Sequence, residues 1–294
     1  MRSSNPIKQL FGQTAVYGLG IVLPRVLNYI LLTPFYTRIF PQEEYGIITE
    51  LYAYVVFLLV ILTYGMETGF FRFASDKNDK NRVYSSALTS LFTTSLLFIT
   101  AVLLFIRPVS AAVGYVKHEE YIRWLAFIVA IDAFTAIPFA RIRLLNKPAK
   151  YALIRIIEVL VNIGLNGFFL YYCPNNIDST EWLNSIYNPN IGVGYVLISN
   201  LAASLIKLIL LSGEIIAAFK GKVDMGLLRN MLQYAYPLLI AGLAGTINEA
   251  LDRILLKHLL PAEVGPMAQL GIYGANFKIA VLMTLYVQMF KYAA

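Results

Sequence analysis

Long apolar stretches follow one another along the whole chain and leave only short connections between them. Eight are candidate membrane spans, at residues 14–39, 47–64, 85–106, 124–145, 152–172, 191–219, 228–260 and 271–290. Crossing a hydrocarbon core of about 30 Å takes roughly 20 largely apolar residues in a helix. Within lipid, a helix satisfies its backbone polar groups inside one segment, whereas an isolated strand does not. The chain is therefore expected to be an all-α polytopic membrane protein with about eight transmembrane helices. Composition agrees: 58% of residues are hydrophobic and 14% charged, and mean hydropathy is +0.64, against roughly 25% charged residues in soluble domains.

The net charge of +7 is a topology signal, because the basic residues sit between spans instead of clustering on a soluble face. Arg2 and Lys8, then Arg72, Lys77, Lys80 and Arg82, then Arg141, Arg143, Lys147 and Lys150, then Lys220, Lys222 and Arg229, and finally Lys291 make every second connection basic. The alternate connections carry chiefly Arg107, Lys117 and Arg123, and the longest, 173–190, has no Lys or Arg. By the positive-inside rule the N-terminus is cytoplasmic and the connection at Pro41 lies outside. No short apolar core with a small-residue cleavage site opens the chain, so the first span is expected to stay in place. A single cysteine, Cys173, excludes an internal disulfide, and His118 and His258 form no metal-ligand motif. Neither metal, cofactor nor nucleic acid is expected.

Several spans carry polar groups at helical spacing. In the seventh, Ala241, Gly245, Glu249, Arg253 and Lys257 fall four apart on one face, with Asp252 beside them. In the fifth, Arg155, Glu158, Asn162 and Asn166 form one stripe, and in the sixth Asn200, Ser204, Lys207 and Glu214 do the same. The fourth places Asp132 and Thr135 ahead of Pro138. The first places Arg25 beside Pro24, with Asn28 and Tyr29 on the next turn. The eighth contains Lys278. The second and third spans are bland, the second being nearly continuous Leu, Val, Ile and Tyr between Leu51 and Leu62.

A plainer account exists for each charge. Arg155 with Glu158, or Glu249 with Arg253, can be intrahelical pairs, and Lys207 or Lys278 can snorkel to the interface. Together they weigh against it, because each charge at mid-membrane costs roughly 2.5–3.5 kcal/mol on insertion scales. Helices pack in lipid with Gly, Ala and Ser alone. Bent, polar-striped helices are expected to line a cavity.

An internal repeat is also visible. The first span exits into FPQEEYGI (40–47) and the seventh into LPAEVGPMAQLGI (260–272), each a Pro-x-Glu turn followed by Gly-Ile at the start of the next span. Six spans between repeat starts place both copies on the same side, as in two parallel lobes related by an axis along the membrane normal.

These residues carry a family resemblance. The turn at 40–47, GMETGFFRFAS (65–75), RIRLLNKPAKYALI (141–154) and ALDRILL (250–256) before the repeated turn resemble the polysaccharide and O-antigen flippases of the multidrug/oligosaccharidyl-lipid/polysaccharide exporter superfamily. The resemblance implies twelve to fourteen spans in two lobes around a central cavity. It also implies movement of a lipid-linked oligosaccharide across the bacterial inner membrane by alternating access, for lipopolysaccharide and related surface polysaccharides. Against that pattern, residues 1–226 are expected to be a complete six-helix lobe and residues 227–294 the first two helices of a second, in a truncated chain. A short form that completes its cavity by oligomerising is the alternative.

The implied substrate is a polyprenyl diphosphate bearing a short glycan, so a basic cavity suits its head. Arg25, Arg155, Lys207, Arg253 and Lys278 are the expected cavity bases. Asp132, Glu158, Glu249 and Asp252 are expected as their counter-charges, or as carriers of a coupling H+ or Na+. Tyr17, Tyr29, Tyr36 and Tyr273 are candidates for sugar contact, although Tyr also belongs to ordinary interface belts. The implied partners are the lipid-linked cargo, membrane lipid and polysaccharide-assembly proteins. A multidrug or cation antiporter of the same superfamily should present carboxylates, whereas the first span offers Arg25 and no acid. A membrane-embedded glycan polymerase or ligase would need a sizeable outward loop, and no nucleophile constellation or phosphate loop is present, so no enzyme activity is expected.

Overall fold

The computed structural model describes residues 18, 20, 22–76, 79–177, 182–218 and 221–293, and all the regular structure among them is helical. Arg2, Lys8, Tyr17, Lys77, Lys220 and the side chain of Lys291 lie outside the described residues. Helix α1 occupies residues 22–39, with a π-helical turn at Asn28–Leu32 ahead of its last segment, Thr33–Ile39. Helices α2 (Gln42–Thr63) and α3 (Met66–Asp76) meet at Tyr64 and Gly65, whose φ angles of 35° and 70° end one helix and redirect the next. Then come α4 (Lys80–Leu104), the short α5 (Ile106–Val113) and α6 (Glu119–Leu144), with Pro138 inside α6. Helix α7 (Pro148–Gly167) starts on the proline that its first turn tolerates and runs into a π-helical turn at Phe168–Tyr172. Helices α8 (Gly194–Leu210) and α9 (Ser212–Ala218) are bent by 55° against each other. Helix α10 (Met225–Leu259) is capped by Asp224, which accepts from the Leu227 N–H, and α11 (Pro266–Ala293) follows the second Pro-x-Glu turn.

Among the described residues, four helical runs are long and apolar enough to cross a membrane: Gln42–Ser75, with the turn at Tyr64 and Gly65 inside it, Lys80–Leu104, Glu119–Leu144 and Pro148–Asn176. The bent α8–α9 pair makes a fifth if it is one span. Helices α10 and α11 are not among them; α10 carries Glu249, Asp252, Arg253 and Lys257 in its second half. Large apolar side chains face outward along the bundle, including Phe92, Leu96, Leu97 and Leu104 on α4, Leu153 and Leu160 on α7, and Leu205 and Ile209 on α8. An exposed apolar surface of that extent fits lipid and not water.

Inside, one cluster joins α3, α4, α6 and the start of α10 through Phe70, Tyr84, Leu91, Ile137 and Met231. A second joins α2, α6 and α8 through Leu51, Ile128 and Leu197. A third gathers Tyr36, Phe40, Tyr45, Leu170 and Tyr195 near the end of the bundle marked by Pro41. At the opposite end, Tyr84 Oη and Ser85 Oγ donate to the carbonyls of Glu214 and Ala218, at 2.8 and 2.5 Å. The Glu214 carboxylate there accepts from Lys150 at 2.8 Å. These bonds tie α9 to α4 and α7.

Helix α2 packs against α6, α10 and α11, and its seam with α11 is glycine-lined. A Cβ added at Gly46 would overlap the Met267 carbonyl, and one added at Gly271 would overlap the Gln42 carbonyl. One helical turn further on, a Cβ at Gly274 would overlap Thr49. Only glycine permits backbones this close. The two glycines of the repeated Gly-Ile therefore face each other across the seam.

Candidate functional site

A partly open cavity of about 410 Å³ is lined by six of the helices. Pro24, Arg25, Asn28 and Tyr29 enter it from α1, Thr49 and Tyr52 from α2, and Arg155, Glu158 and Asn162 from α7. Asn200 enters from α8, Arg253 from α10, and Gly274, Phe277 and Lys278 from α11. Its position follows from local chain chemistry. The π-helical turn at Asn28–Leu32 turns Asn28, Tyr29 and Leu32 to the lining, and such bulges recur at functional sites. Gly274 keeps α11 close to α2, which places Phe277 and Lys278 on the wall one turn on.

Four of the five bases expected in the cavity line it: Arg25, Arg155, Arg253 and Lys278. Lys207 is not among the lining residues. It is 1% exposed, and its Nζ lies 2.5 Å from Asp132 Oδ1 and 2.7 Å from Glu158 Oε1. Ser204 donates to the same Asp132 oxygen at 2.9 Å. Glu158 Oε2 accepts from Arg155 at 3.1 Å, and the Arg155 guanidinium stacks over Phe139 at 4.1 Å. Arg155, Glu158, Lys207 and Asp132 thus form one line of alternating charge through α6, α7 and α8, two bases against two acids. Paired in this way, each charge keeps a partner away from water.

The other three lining bases differ. Among the described residues no carboxylate is paired with Arg25, Arg253 or Lys278. Arg253 donates from its guanidinium to the Glu249 carbonyl at 2.9 Å and lies 3.9 Å over the Phe277 ring, while its Nε is buried without a hydrogen-bond partner. Lys278 Nζ sits 5.1 Å from the Tyr45 ring. Of the expected counter-charges, Glu158 lines the cavity, Asp132 lies behind its wall with Lys207, and Glu249 is exposed away from the lining. The Asp252 carboxylate accepts from Tyr273. Hydroxyls and amides complete the lining: Asn200 donates to Tyr52 Oη at 2.7 Å, and Tyr36 donates to Asn166 at 2.8 Å. Among the described residues no group of three or more His, Cys, Asp or Glu is placed to hold a metal ion.

The bland second span hides a charged centre. Glu50 on α2 is 0% exposed and accepts from Lys257 Nζ at 2.8 Å, Tyr115 Oη at 2.6 Å and Tyr54 Oη at 3.2 Å. A charge inside an apolar run was the available signal, since a carboxylate there needs a partner.

Residues 10–294 match the family described as "Polysaccharide biosynthesis protein". The chain belongs to that family. Comparison with curated proteins gave no match. Among solved structures, this polysaccharide biosynthesis protein is similar to a multidrug resistance MATE family transporter of the MOP superfamily in its inward-facing conformation. The TM-score is 0.63 at 15% identity, over 90% of this chain. The chain spans 61% of the length of that transporter. At that identity the likeness is one of fold. The family match and the apolar helices describe a multi-pass, membrane-type helical member of the polysaccharide biosynthesis family.

Proposed function

We propose that the protein flips a lipid-linked oligosaccharide, a glycan on a polyprenyl diphosphate, across the cytoplasmic membrane for surface-polysaccharide assembly. The observation that carries this reading is the asymmetry of the cavity charges. Arg155 is neutralised by Glu158, whereas Arg25, Arg253 and Lys278 face the same space without a described carboxylate partner. A positive wall without counter-charge suits an anionic head, and guanidinium groups offer bidentate bonds to phosphate oxygens. Asn28, Tyr29, Tyr52, Asn162 and Asn200 supply donors, acceptors and ring faces for sugar hydroxyls on the remaining walls. A cationic drug would meet the wrong sign of charge, which places the antiporter reading second.

In this reading residues 1–226 and 227–294 belong to two lobes, the N-terminus is cytoplasmic, and the Pro41 end of the bundle faces outward. The near-symmetric pairing of Gly46 with Met267 and Gly271 with Gln42 supports the two-lobe arrangement. The alternation of basic connections supports the orientation. The test is complementation of a strain lacking its own flippase. Arg25→Ala and Arg253→Ala are expected to abolish it at unchanged membrane abundance, and full complementation by both contradicts the assignment.

A further inference from the structure

The Glu50 centre lies at the Pro41 end, outside the cavity lining, and joins helices far apart along the chain. Glu50 sits in the third turn of α2, and Lys257 in the last turn of α10, 207 residues away in sequence. Besides Glu50, Lys257 Nζ donates to the Val113 carbonyl at 2.8 Å and lies 4.9 Å from the Tyr115 ring. Gly114, at φ +87°, ends α5 and leaves room beside that ammonium, since an added Cβ would lie 3.3 Å from it. One lysine thus fastens the end of α10 to α2 and to the α5–α6 connection. The Gly46–Gly271 seam lies one turn away along α2.

The other end of α10 is anchored differently. The Asp224 N–H donates to Ser86 Oγ at 3.0 Å, and Leu227 and Met231 are buried in the cluster around Phe70 and Tyr84. Between anchor and latch stands Pro237, inside the helix, with Leu238 against Gly65 at the α2–α3 break. Proline removes a helical hydrogen bond and provides a bend. A bend at Pro237 that carries the end of α10 away from α2 would withdraw Lys257 from Glu50.

We propose that Glu50 is a proton-binding site that latches α10 to α2, and that proton uptake from the solution at the Pro41 end releases Lys257 and opens the cavity there. A carboxylate left inside protein without its cation is neutralised by a proton, so opening and protonation favour each other. The groups facing Glu50 are Tyr54 on its own helix, Tyr115 after α5 and Lys257 on α10. On α6, Tyr121 stands behind Tyr115 at 6.3 Å between ring centroids, and on α11 Lys278 is directed at Tyr45 instead. Of these, Lys257 alone contributes a positive charge to the carboxylate. The proposal rests on the transporter reading but not on the identity of the cargo.

The test uses spin labels on cysteines at Glu43 on α2 and Leu259 on α10, both exposed and on either side of the Glu50–Lys257 latch, in a Cys173→Ser background. Their distance distribution is read without cargo at about pH 8 and about pH 5.5. The wild-type residue set is expected to show one short distance at high pH and a second, longer one in acid. Glu50→Gln is expected to show the longer distance at both pH values. Lys257→Met is expected to move the midpoint of the change to higher pH. A distribution that does not move with pH in the protein with Glu50 intact overturns the proposal without any variant, and so does an undiminished pH response in Glu50→Gln. Transport measured on the same preparation reports separately on the flippase reading.

Discussion

Gly46 and Gly271 face each other across the α2–α11 seam, each occupying the place where a side chain would strike the partner helix's backbone. The pairing is reciprocal: Gly46 meets the carbonyl of Met267, and Gly271 meets that of Gln42, each four residues before the other glycine. Two copies of one sequence turn thus meet around what serves locally as a two-fold axis.

Gly46→Ala and Gly271→Ala are therefore expected to destabilise the protein by about 1–3 kcal/mol each, since backbone on a packed seam gives way poorly. Gly245→Ala has nothing within 4 Å of the new methyl and is expected to be neutral or stabilising by up to about 1 kcal/mol. Thermal unfolding in detergent measures both. Equal effects at the three positions would contradict the close approach.

The charge line Arg155–Glu158–Lys207–Asp132 is expected to behave as a unit. Lys207→Met strands two carboxylates, and Asp132→Asn leaves the buried ammonium with one partner; breaking a buried pair costs about 3–5 kcal/mol. The double variant is expected to recover part of the loss, giving a coupling of roughly 0.5–3 kcal/mol in a double-mutant cycle. Strict additivity would contradict the network.

Loss of the α10 cap is a smaller effect. Asp224→Ala removes the acceptor for the Leu227 N–H and is expected to cost about 1 kcal/mol. Asp224→Asn is expected to retain most of that stability, read by the same unfolding measurement.

The helices were legible because apolar runs of spanning length leave the backbone no other solution in lipid. The polar stripes on α7 and α8 were legible too, but a helical wheel gives a face and not its neighbour. Lys207 shares the expected face of α8, yet its ammonium is covered by Asp132 and Glu158 from two other helices. The stripe on α10 divides for a second reason. Each four-residue step overshoots the turn by about 40°, so Glu249 is exposed, Arg253 reaches the cavity and Lys257 reaches Glu50. Glu50 itself was overlooked among apolar neighbours, because its partner lies in a helix far along the chain. The repeated Gly-Ile was visible as a pattern, whereas the contact between its two glycines depends on how α2 and α11 cross.

The most direct measurement of the central claim is transbilayer movement of a fluorescent polyprenyl diphosphate glycan in vesicles reconstituted with the protein as its gene encodes it. The account predicts faster movement than in empty vesicles, about 10- to 100-fold slower movement for Arg25→Ala and Arg253→Ala, the range of lost charge-assisted bonds, and intact folding in both. Movement no faster than in empty vesicles, or arginine variants as fast as the parent, would contradict it.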